Sequence, residues 1–577
     1  FFFKQKTAYA LLSGLVGSEM CIRDRFYDEY IPSFQDRSDW NSPTVLRHHA
    51  EERPNSVYLN VPWANESYSY AETLDISERV ASGMLSTGAS SGDRVLIMIP
   101  NCSAYIFTWL GSSLAGLVEV PINTAYKGAF LSHQTSTTSP KIAVIAPEYI
   151  PRILDVYESF ESVELFILVG KDNDTNADIN TLKNSGKQVI NWEDLLRFEK
   201  VDLPIVNYSD LGSIFFTSGT TGLSKGVMMP HAHMYLFADE TVSLTRLTSS
   251  DTYMSCGPLF HGNSQFLAAY PALIAGAQYV LQERFSASEW INQIRDSKAT
   301  VTNFIGVMMD FVWQQEPQPD DLDNDLRCVF AAPTASSILE EYKSRFGIEA
   351  FVEVFGLTET CMPILTPYGE VRPAGAAGLL NKDWFDIRLV DPETDEEVEV
   401  GSVGELLVRP KFPWTTCQGY FNMPDKTCDA FRNLWFHTGD GLKRDNDGWY
   451  YFVDRLKDAL RRRGENISSF EIEQALISHE LIEEVAAIGV PADQEAGEDE
   501  VMVFVVPSPG KVISAEAVWE YSEKQLPDFA IPRYVQIVKS LPKTPSEKVR
   551  KIELREIGVT NETNDRGPQK RRTRSGK

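Results

Sequence analysis

The sequence of 577 residues predicts an α/β protein: a large N-terminal domain built on parallel sheets, a β-rich subdomain, and a small α+β domain at the C-terminal end. Three observations predict it. From about Val57 to Phe355 short apolar runs alternate with stretches of helical periodicity, as parallel strands and their crossover helices do. From Arg372 to Phe452 the runs shorten and Gly and Pro turns separate them. After Asp454 a cluster of charge that includes Arg461, Arg462 and Arg463 breaks the pattern, before a last mixed stretch that ends near Gly558.

In chain order, residues 1–25 place Lys4 and Lys6 ahead of a short apolar stretch, as a signal peptide does. They lack a small-x-small cleavage site and read as translated sequencing-adapter read-through, so they are set apart as an artefact and the large domain is taken as 26–453. Leu74, Ala81, Met84 and Leu85 lie at helical spacing, and 94–99 reads as the strand that follows. Further strands are predicted at 142–146, 164–169, 213–216, 279–282, 301–304, 328–331 and 350–355, then at 404–409 and 449–453 in the β-rich part. The small domain is placed at 458–558. The polar tail, 559–577, ends in Lys570, Arg571, Arg572, Arg574 and Lys577 and reads as disordered.

Composition narrows the class. With 43% hydrophobic and 11% aromatic residues, the chain can bury a sizeable core. A net charge of −27 repels phosphate backbones and anionic lipid, so any nucleotide it handles is expected to be a small molecule in a local pocket, with no nucleic acid partner. The seven cysteines are scattered without a C-x-x-C, which predicts neither a disulfide framework nor a zinc ribbon and fits a reducing cytoplasm. No apolar run is long enough to span a bilayer, so no integral membrane association is expected. The sequence carries no sign of oligomeric state.

The strongest chemical signal is 214–226, Ile-Phe-Phe-Thr-Ser-Gly-Thr-Thr-Gly-Leu-Ser-Lys-Gly. An apolar strand runs into Thr217, Ser218, Gly219, Thr220, Thr221 and Gly222, where small side chains let backbone N–H groups and hydroxyls converge on phosphate oxygens. Lys225 adds positive charge. A Walker A loop is excluded, because Gly226 follows the lysine and the first glycines are three apart. Two apparent motifs fail on context. Gly88-Ala-Ser-Ser-Gly92 matches G-x-S-x-G, but its order of helix, loop and strand is not that of a nucleophile elbow. His261 has no nucleophile or orienting carboxylate spaced around it.

With this loop the chain resembles the adenylate-forming (AMP-binding) superfamily of acyl-CoA synthetases, luciferases and peptide-synthetase adenylation domains, and the other signatures follow in the family's order over about Thr44 to Leu554. The resemblance implies a mobile small domain and the following roles. In Phe355-Gly356-Leu-Thr358-Glu359, Phe355 would stack on adenine, Thr358 touch the α-phosphate and Glu359 hold Mg²⁺; Tyr is usual where Phe355 stands. In 435–440, Asp440 would accept both ribose hydroxyls, as the two oxygens of a carboxylate can. Arg455 matches a second ribose contact and Lys457 a hinge, which makes 454–457 the joint between the domains. Lys548 matches the adenylating lysine, although Glu547 stands where Gly is usual, and Lys543 and Lys551 remain alternatives. Gly464 and Glu465 would meet the pantetheine arm of coenzyme A, and His261, Phe304 and Gly306 the acyl group, with a buried structural role for His261 and a core role for Phe304 and Gly306 as the alternatives.

The form of 464–473 looks most like carnitine/crotonobetaine-type acyl-CoA ligases. The implied reaction joins a small carboxylic acid to coenzyme A through an acyl adenylate, with ATP, Mg²⁺ and coenzyme A as co-substrates and cofactor. A stand-alone adenylation enzyme serving a carrier protein, a luciferase-like oxygenase and an inactive nucleotide-binding homologue are the alternatives. Which acid is used is not legible, because a methylene in an apolar pocket changes binding by only ~1–3 kcal/mol.

Overall fold

The computed structural model describes residues 31–170, 176–217, 223–305, 308–332, 334, 338–455, 459–462, 465–492, 499–543 and 549–567. Two seven-stranded sheets organise the large domain, as the alternating pattern predicts. The first runs in the order Gln188–Asn191, Leu165–Leu168, Ile142–Ile145, Arg94–Met98, Val118–Pro121, Leu211–Thr217, Lys225–Pro230. All its pairs are parallel except the last, which is antiparallel. Ile142–Ile145 and Leu165–Leu168 are buried throughout, which is why their sequences are unbroken apolar runs. The second sheet runs Ala350–Val352, Cys328–Ala332, Val301–Ile305, Thr252–Ser255, Gln278–Leu281, Val57–Val61, Glu66–Ser69, and it too is parallel up to an antiparallel edge pair.

Local chemistry sets the helix ends. Tyr70–Ser86 starts on a capping box, in which the Glu72 carboxylate accepts the Ser69 N–H at 2.8 Å and the Ser69 hydroxyl accepts the Glu72 N–H at 3.2 Å. One core cluster joins residues of both sheets, and a second, on the second sheet, gathers Trp290, Phe304, Tyr342 and Phe346.

The predicted strand 350–355 divides in two. Ala350–Val352 stays in the parallel sheet, while Val354–Leu357 turns away into a hairpin with Cys361–Leu365. Glu353 stands at the break. Its buried carboxylate lies 2.7 Å from Arg372 and accepts the Thr334 N–H at 3.1 Å, partners that a continuous ladder would not bring to it. Beyond it, Phe385–Val390, Gly404–Pro410, Phe436–Arg444 and Tyr450–Arg455 form the antiparallel sheet of the β-rich part.

The small domain starts with the hairpin Ala459–Arg462 and Glu465–Ser468, which runs into the helix Ser469–Ile477. Its sheet runs Ile482–Pro491, Asp499–Pro507, Tyr534–Ile537, Asn564–Asp565. Strand alternation gives this sheet two apolar faces. Ala487, Val501, Val503 and Val535 cluster with Ile472 and with Phe130 of the large domain, whereas Ile488, Met502 and Phe504 cluster with Leu541 and Leu554.

The expected disordered tail is corrected for its first part. Asn564–Asp565 pairs with Tyr534–Ile537, Asp565 binds Arg533 at 3.0 Å, and Thr563 donates to Gln536 at 2.8 Å, so polar residues hold this segment without apolar burial. The basic residues from Lys570 onward lie outside the described residues. Among the described residues no helix is long and apolar enough to cross a membrane.

Candidate active site

The apolar strand of the phosphate-loop signature is Leu211–Thr217, and the chain returns as Lys225–Pro230 with Thr217 opposite Lys225 in register. Ser218, Gly219, Thr220, Thr221 and Gly222 lie outside the described residues, but both ends of their loop are fixed on adjacent strands. The Thr217 hydroxyl donates to Glu359 Oε1 at 3.3 Å. Two elements distant in sequence thus meet where the loop leaves the sheet.

Glu359 is 6% exposed. A second hydroxyl, that of Tyr420, donates to the same Oε1 at 3.0 Å, and the Glu359 carbonyl accepts the Cys417 N–H at 3.0 Å. Tyr420 is delivered by the segment 417–421, which hydrogen-bonds along Lys225–Pro230 through Met228 to Gly419 and Phe421 to Gly226. The Lys225 ammonium sits 4.3 Å from the centroid of the Tyr420 ring. Burial and the neighbouring Glu359 charge push the Tyr420 hydroxyl far above its usual range, so it stays a donor. Gly419 takes φ +115°, and a Cβ there would sit 2.4 Å from Thr427, whose hydroxyl accepts the Tyr420 N–H at 2.9 Å.

Phe355 and Gly356 lie on the hairpin strand Val354–Leu357, with Thr358 in the turn that follows. A Cβ on Gly356 would lie 2.3 Å from the carbonyl oxygen of Cys361, so only glycine allows this close pairing. The Phe355 ring faces that of Phe452 at a centroid distance of 6.0 Å and 27°. Asp440, 3% exposed, lies opposite Arg455 in the ladder between Phe436–Arg444 and Tyr450–Arg455. Its segment is held by Glu405, which accepts the Gly439 N–H at 3.0 Å on Oε1 and lies 3.2 Å from His437 Nδ1 on Oε2. Although burial opposes ionisation, the His437 hydrogen bond and charge, the Gly439 N–H and Arg432 hold the Glu405 carboxyl below its usual range.

The acyl-pocket candidates separate. His261 precedes the short helix Gly262–Ser264, and Asn263 there is hydrogen-bonded by the Asn303 amide of the strand Val301–Ile305. Phe304, the next residue, points to the other face: it is 1% exposed and its ring lies 5.3 Å from Trp290. Of the two roles left open for Phe304, this is the core one, and Asn303 is the strand residue on the His261 side. Gly306 lies outside the described residues.

On the small domain, Lys457, Gly464 and Lys548 lie outside the described residues, and Glu465 pairs with Arg462 in the hairpin register. The alternative lysines are engaged within the domain, Lys543 with Glu484 at 2.9 Å and Lys551 with Glu473 at 2.7 Å. The domain docks on the helix Gly128–Thr138: the Lys127 ammonium donates to the Glu523 carbonyl, and Ser224 donates its N–H to Glu471 Oε1 at 2.9 Å. A cleft of about 570 Å³ opens at this junction, lined among others by Lys127, Arg152 and Lys524.

Among the described residues no group of three or more His, Cys, Asp or Glu could hold a metal unaided. A single buried carboxylate, preset by two hydroxyls where the strand Leu211–Thr217 ends, suits a hard cation that takes its remaining ligands from a bound anion and water.

Tyr420, Glu405, Asn303 and Glu471 carry none of the site roles that the motifs assign. For Tyr420 a local signal exists in the Gly419-Tyr420 turn with Thr427 seven residues after the Tyr; for Glu405, none beyond a charged residue in an apolar strand.

The fold, with a buried carboxylate beside a Ser/Thr/Gly-rich strand-to-strand connection, defines an α/β enzyme of the nucleotide-binding class. The chain belongs to the AMP-binding enzyme family, which matches residues 46–421, and residues 471–548 match the AMP-binding enzyme C-terminal domain; it is an AMP-forming ligase. It is 27% identical over 501 residues to crotonobetaine/carnitine-CoA ligases of Salmonella typhimurium and Salmonella heidelberg, across 85% of this chain and 93% of theirs. An o-succinylbenzoate CoA synthetase from Bacillus subtilis bound with a product analogue has the same fold, with a TM-score of 0.75 at 22% identity over 91% of this chain and 99% of that one. A fatty acyl CoA synthetase from Mycobacterium tuberculosis matches with a TM-score of 0.63 at 25% identity, over 91% and 99%.

Proposed function

We propose that this chain is an ATP-dependent acyl-CoA ligase that activates a carboxylic acid as its acyl adenylate and transfers the acyl group to coenzyme A. The observation that carries the reading is the buried Glu359 carboxylate, fixed by the Thr217 and Tyr420 hydroxyls at the mouth of the 217–225 loop with the Lys225 ammonium beside it.

The chemistry follows from charge. A carboxylate must approach the α-phosphate of ATP, so anion repulsion has to be offset first. The loop amides and hydroxyls of Ser218, Gly219, Thr220, Thr221 and Gly222 would cradle the phosphates with Lys225, and Thr358 would touch the α-phosphate. Phe355 would carry adenine, and Asp440 with Arg455 the ribose. Glu359 would hold Mg²⁺, which when bound supplies positive charge to the phosphates. Lys548 would bridge the acid oxygen and the α-phosphate, as a compact ammonium on a flexible stem can. The acid oxygen bonds to phosphorus, the bond to the bridging oxygen breaks and pyrophosphate leaves. In the second half-reaction a thiolate attacks the acyl carbonyl and AMP departs.

Two features support coenzyme A as acceptor. The interdomain cleft sets Lys127, Arg152 and Lys524 against the single carboxylate of Asp155 and so is cationic on a chain of net charge −27, which suits the phosphates of a nucleotide-bearing thiol. Leu541 and Val549, which flank the loop of Lys548, pack on the small-domain sheet face opposite the one that joins Phe130. That supports reading this arrangement as the thioester-forming one, with rotation about Lys457 needed to bring Lys548 to ATP. On the acyl side, Asn303 is 3% exposed and its Oδ1 is buried with no hydrogen-bond partner among the described residues, which supports an acid bearing a hydrogen-bond donor over a plain hydrocarbon chain.

The test is a panel of carboxylic acids read by pyrophosphate release, then by thioester formation with coenzyme A or a phosphopantetheinylated carrier protein. Pyrophosphate release with thioester formed only on the carrier would refute the acyl-CoA assignment. Absence of release with every acid would refute the ligase.

A further inference from the structure

Glu471 lies in the first turn of the helix Ser469–Ile477 and is 5% exposed. The companion carboxylate of its Glu-Ile-Glu sequence, Glu473, serves the small domain itself: it accepts the Ala487 N–H at 2.7 Å and binds Lys551 at 2.7 Å. Residues two apart on a helix project about 200° apart, so Glu471 must face elsewhere. It faces the large domain, where its Oε1 accepts the N–H of Ser224 at 2.9 Å.

Ser224 is 3% exposed and its peptide is held from both sides. Its carbonyl lies 2.8 Å from Nε2 of His133, on the large-domain helix Gly128–Thr138, and burial lowers the His133 pKa, so the neutral ring donates. One residue on, Lys225 lies over the Tyr420 ring, and Tyr420 donates to Glu359. A continuous path of contacts therefore runs from the first turn of a small-domain helix to the carboxylate at the phosphate site.

We infer that Glu471 is a positioning residue that latches the small domain onto the end of the phosphate loop and so holds the thioester-forming arrangement. The inference rests on reading 217–225 as the phosphate loop. A backbone N–H as the target gives the latch a definite geometry, because Ser224 offers its N–H there only while the start of the strand Lys225–Pro230 keeps its place beside Leu211–Thr217. Adenylate formation, which needs the small domain turned to present Lys548, requires the latch open; thioester formation requires it closed. Burial pushes the Glu471 carboxyl up to about 7, the cost expected of a carboxylate kept at an interface for geometry.

The test uses the full chain with Glu471→Ala and Glu471→Gln. The alanine variant is expected to lose about tenfold in thioester formation from supplied acyl adenylate, the scale of one lost buried hydrogen bond, while pyrophosphate release is retained. The glutamine variant keeps an acceptor oxygen and is expected to restore most of the loss. Amide exchange of the peptide containing Ser224 supplies a readout without turnover: slow in the parent and in Glu471→Gln, fast in Glu471→Ala. Equal loss of both half-reactions, unchanged thioester formation in Glu471→Ala, or unaltered exchange at Ser224 would each overturn the latch. If the parent makes adenylate but no thioester while exchange responds as described, the latch stands and the acyl-CoA reading fails.

Discussion

Tyr420→Phe is the sharpest perturbation of the phosphate site, because it deletes one oxygen and leaves the ring. Lys225, 4.3 Å from the ring centroid, keeps its aromatic support, and the backbone bonds that seat 417–421 on Lys225–Pro230 do not involve the side chain. What goes is the 3.0 Å hydrogen bond to Glu359 Oε1, leaving the Thr217 hydroxyl at 3.3 Å as the side-chain donor to that oxygen among the described residues. A hydrogen bond to a charged group is worth roughly 1.5–3 kcal/mol, or about 10- to 150-fold in an equilibrium constant. Part of that is recovered by water, so the lower end is expected. The carboxylate must then be ordered when the cation engages, so adenylate formation should need about tenfold more Mg²⁺ for half-maximal rate, with the rate at saturating Mg²⁺ falling less. The assay is a Mg²⁺ titration of pyrophosphate release, with thermal unfolding as control. An unchanged titration would remove Tyr420 from the control of Glu359. A fall that saturating Mg²⁺ cannot lift, joined to a collapse in melting temperature, would reduce Tyr420 to a packing residue.

Gly356→Ala places a Cβ against the Cys361 carbonyl, a backbone atom that cannot swing aside, so a loss of roughly 1–3 kcal/mol in stability and weakened ATP binding are expected; an unchanged unfolding midpoint would refute the close contact. Docking of the small domain should weaken as pH rises. The Glu471 carboxyl is raised by burial from 4.5 to about 7 in the docked state, so docking is fully supported below the lower value and loses that support as pH rises through the upper one. Amide exchange at Ser224 should therefore accelerate, about tenfold at most, between about pH 6 and about pH 8, beyond the intrinsic pH effect, and Glu471→Gln should abolish the excess. The same slope in Glu471→Gln would assign the titration to another group. Lys548→Ala should abolish adenylate formation and spare thioester formation from supplied acyl adenylate; equal loss of both would count against a two-arrangement cycle.

What the sequence discloses and what it conceals divide along physical lines. The first parallel sheet is legible because strands covered on both faces must be apolar at every position, and 142–145 and 165–168 are such runs. The edge pairs are not: Lys225–Pro230 runs antiparallel because a short loop returns the chain beside Leu211–Thr217, and that direction depends on loop closure more than on composition. Phe304 was decidable in principle. In a strand where Asn303 and Phe304 take opposite faces, the aromatic goes to the core, so Asn303 is the residue to expect beside His261. Among the 22 tyrosines, Tyr420 is marked only by its Gly419-Tyr420 turn and Thr427, which say nothing of Glu359, and the pattern around Glu471 says nothing of Ser224. Each acts through one contact between segments far apart in the chain, Tyr420 across 61 residues to Glu359 and Glu471 across 247 to Ser224. Motifs locate the groups that must touch the nucleotide, since their chemistry constrains residue type and spacing together. The groups that set those residues in place need only an oxygen or a ring arriving from any direction. That leaves their sequence positions free, and in this chain the contacts to Glu359 and to Ser224 come from segments whose local pattern does not name those partners.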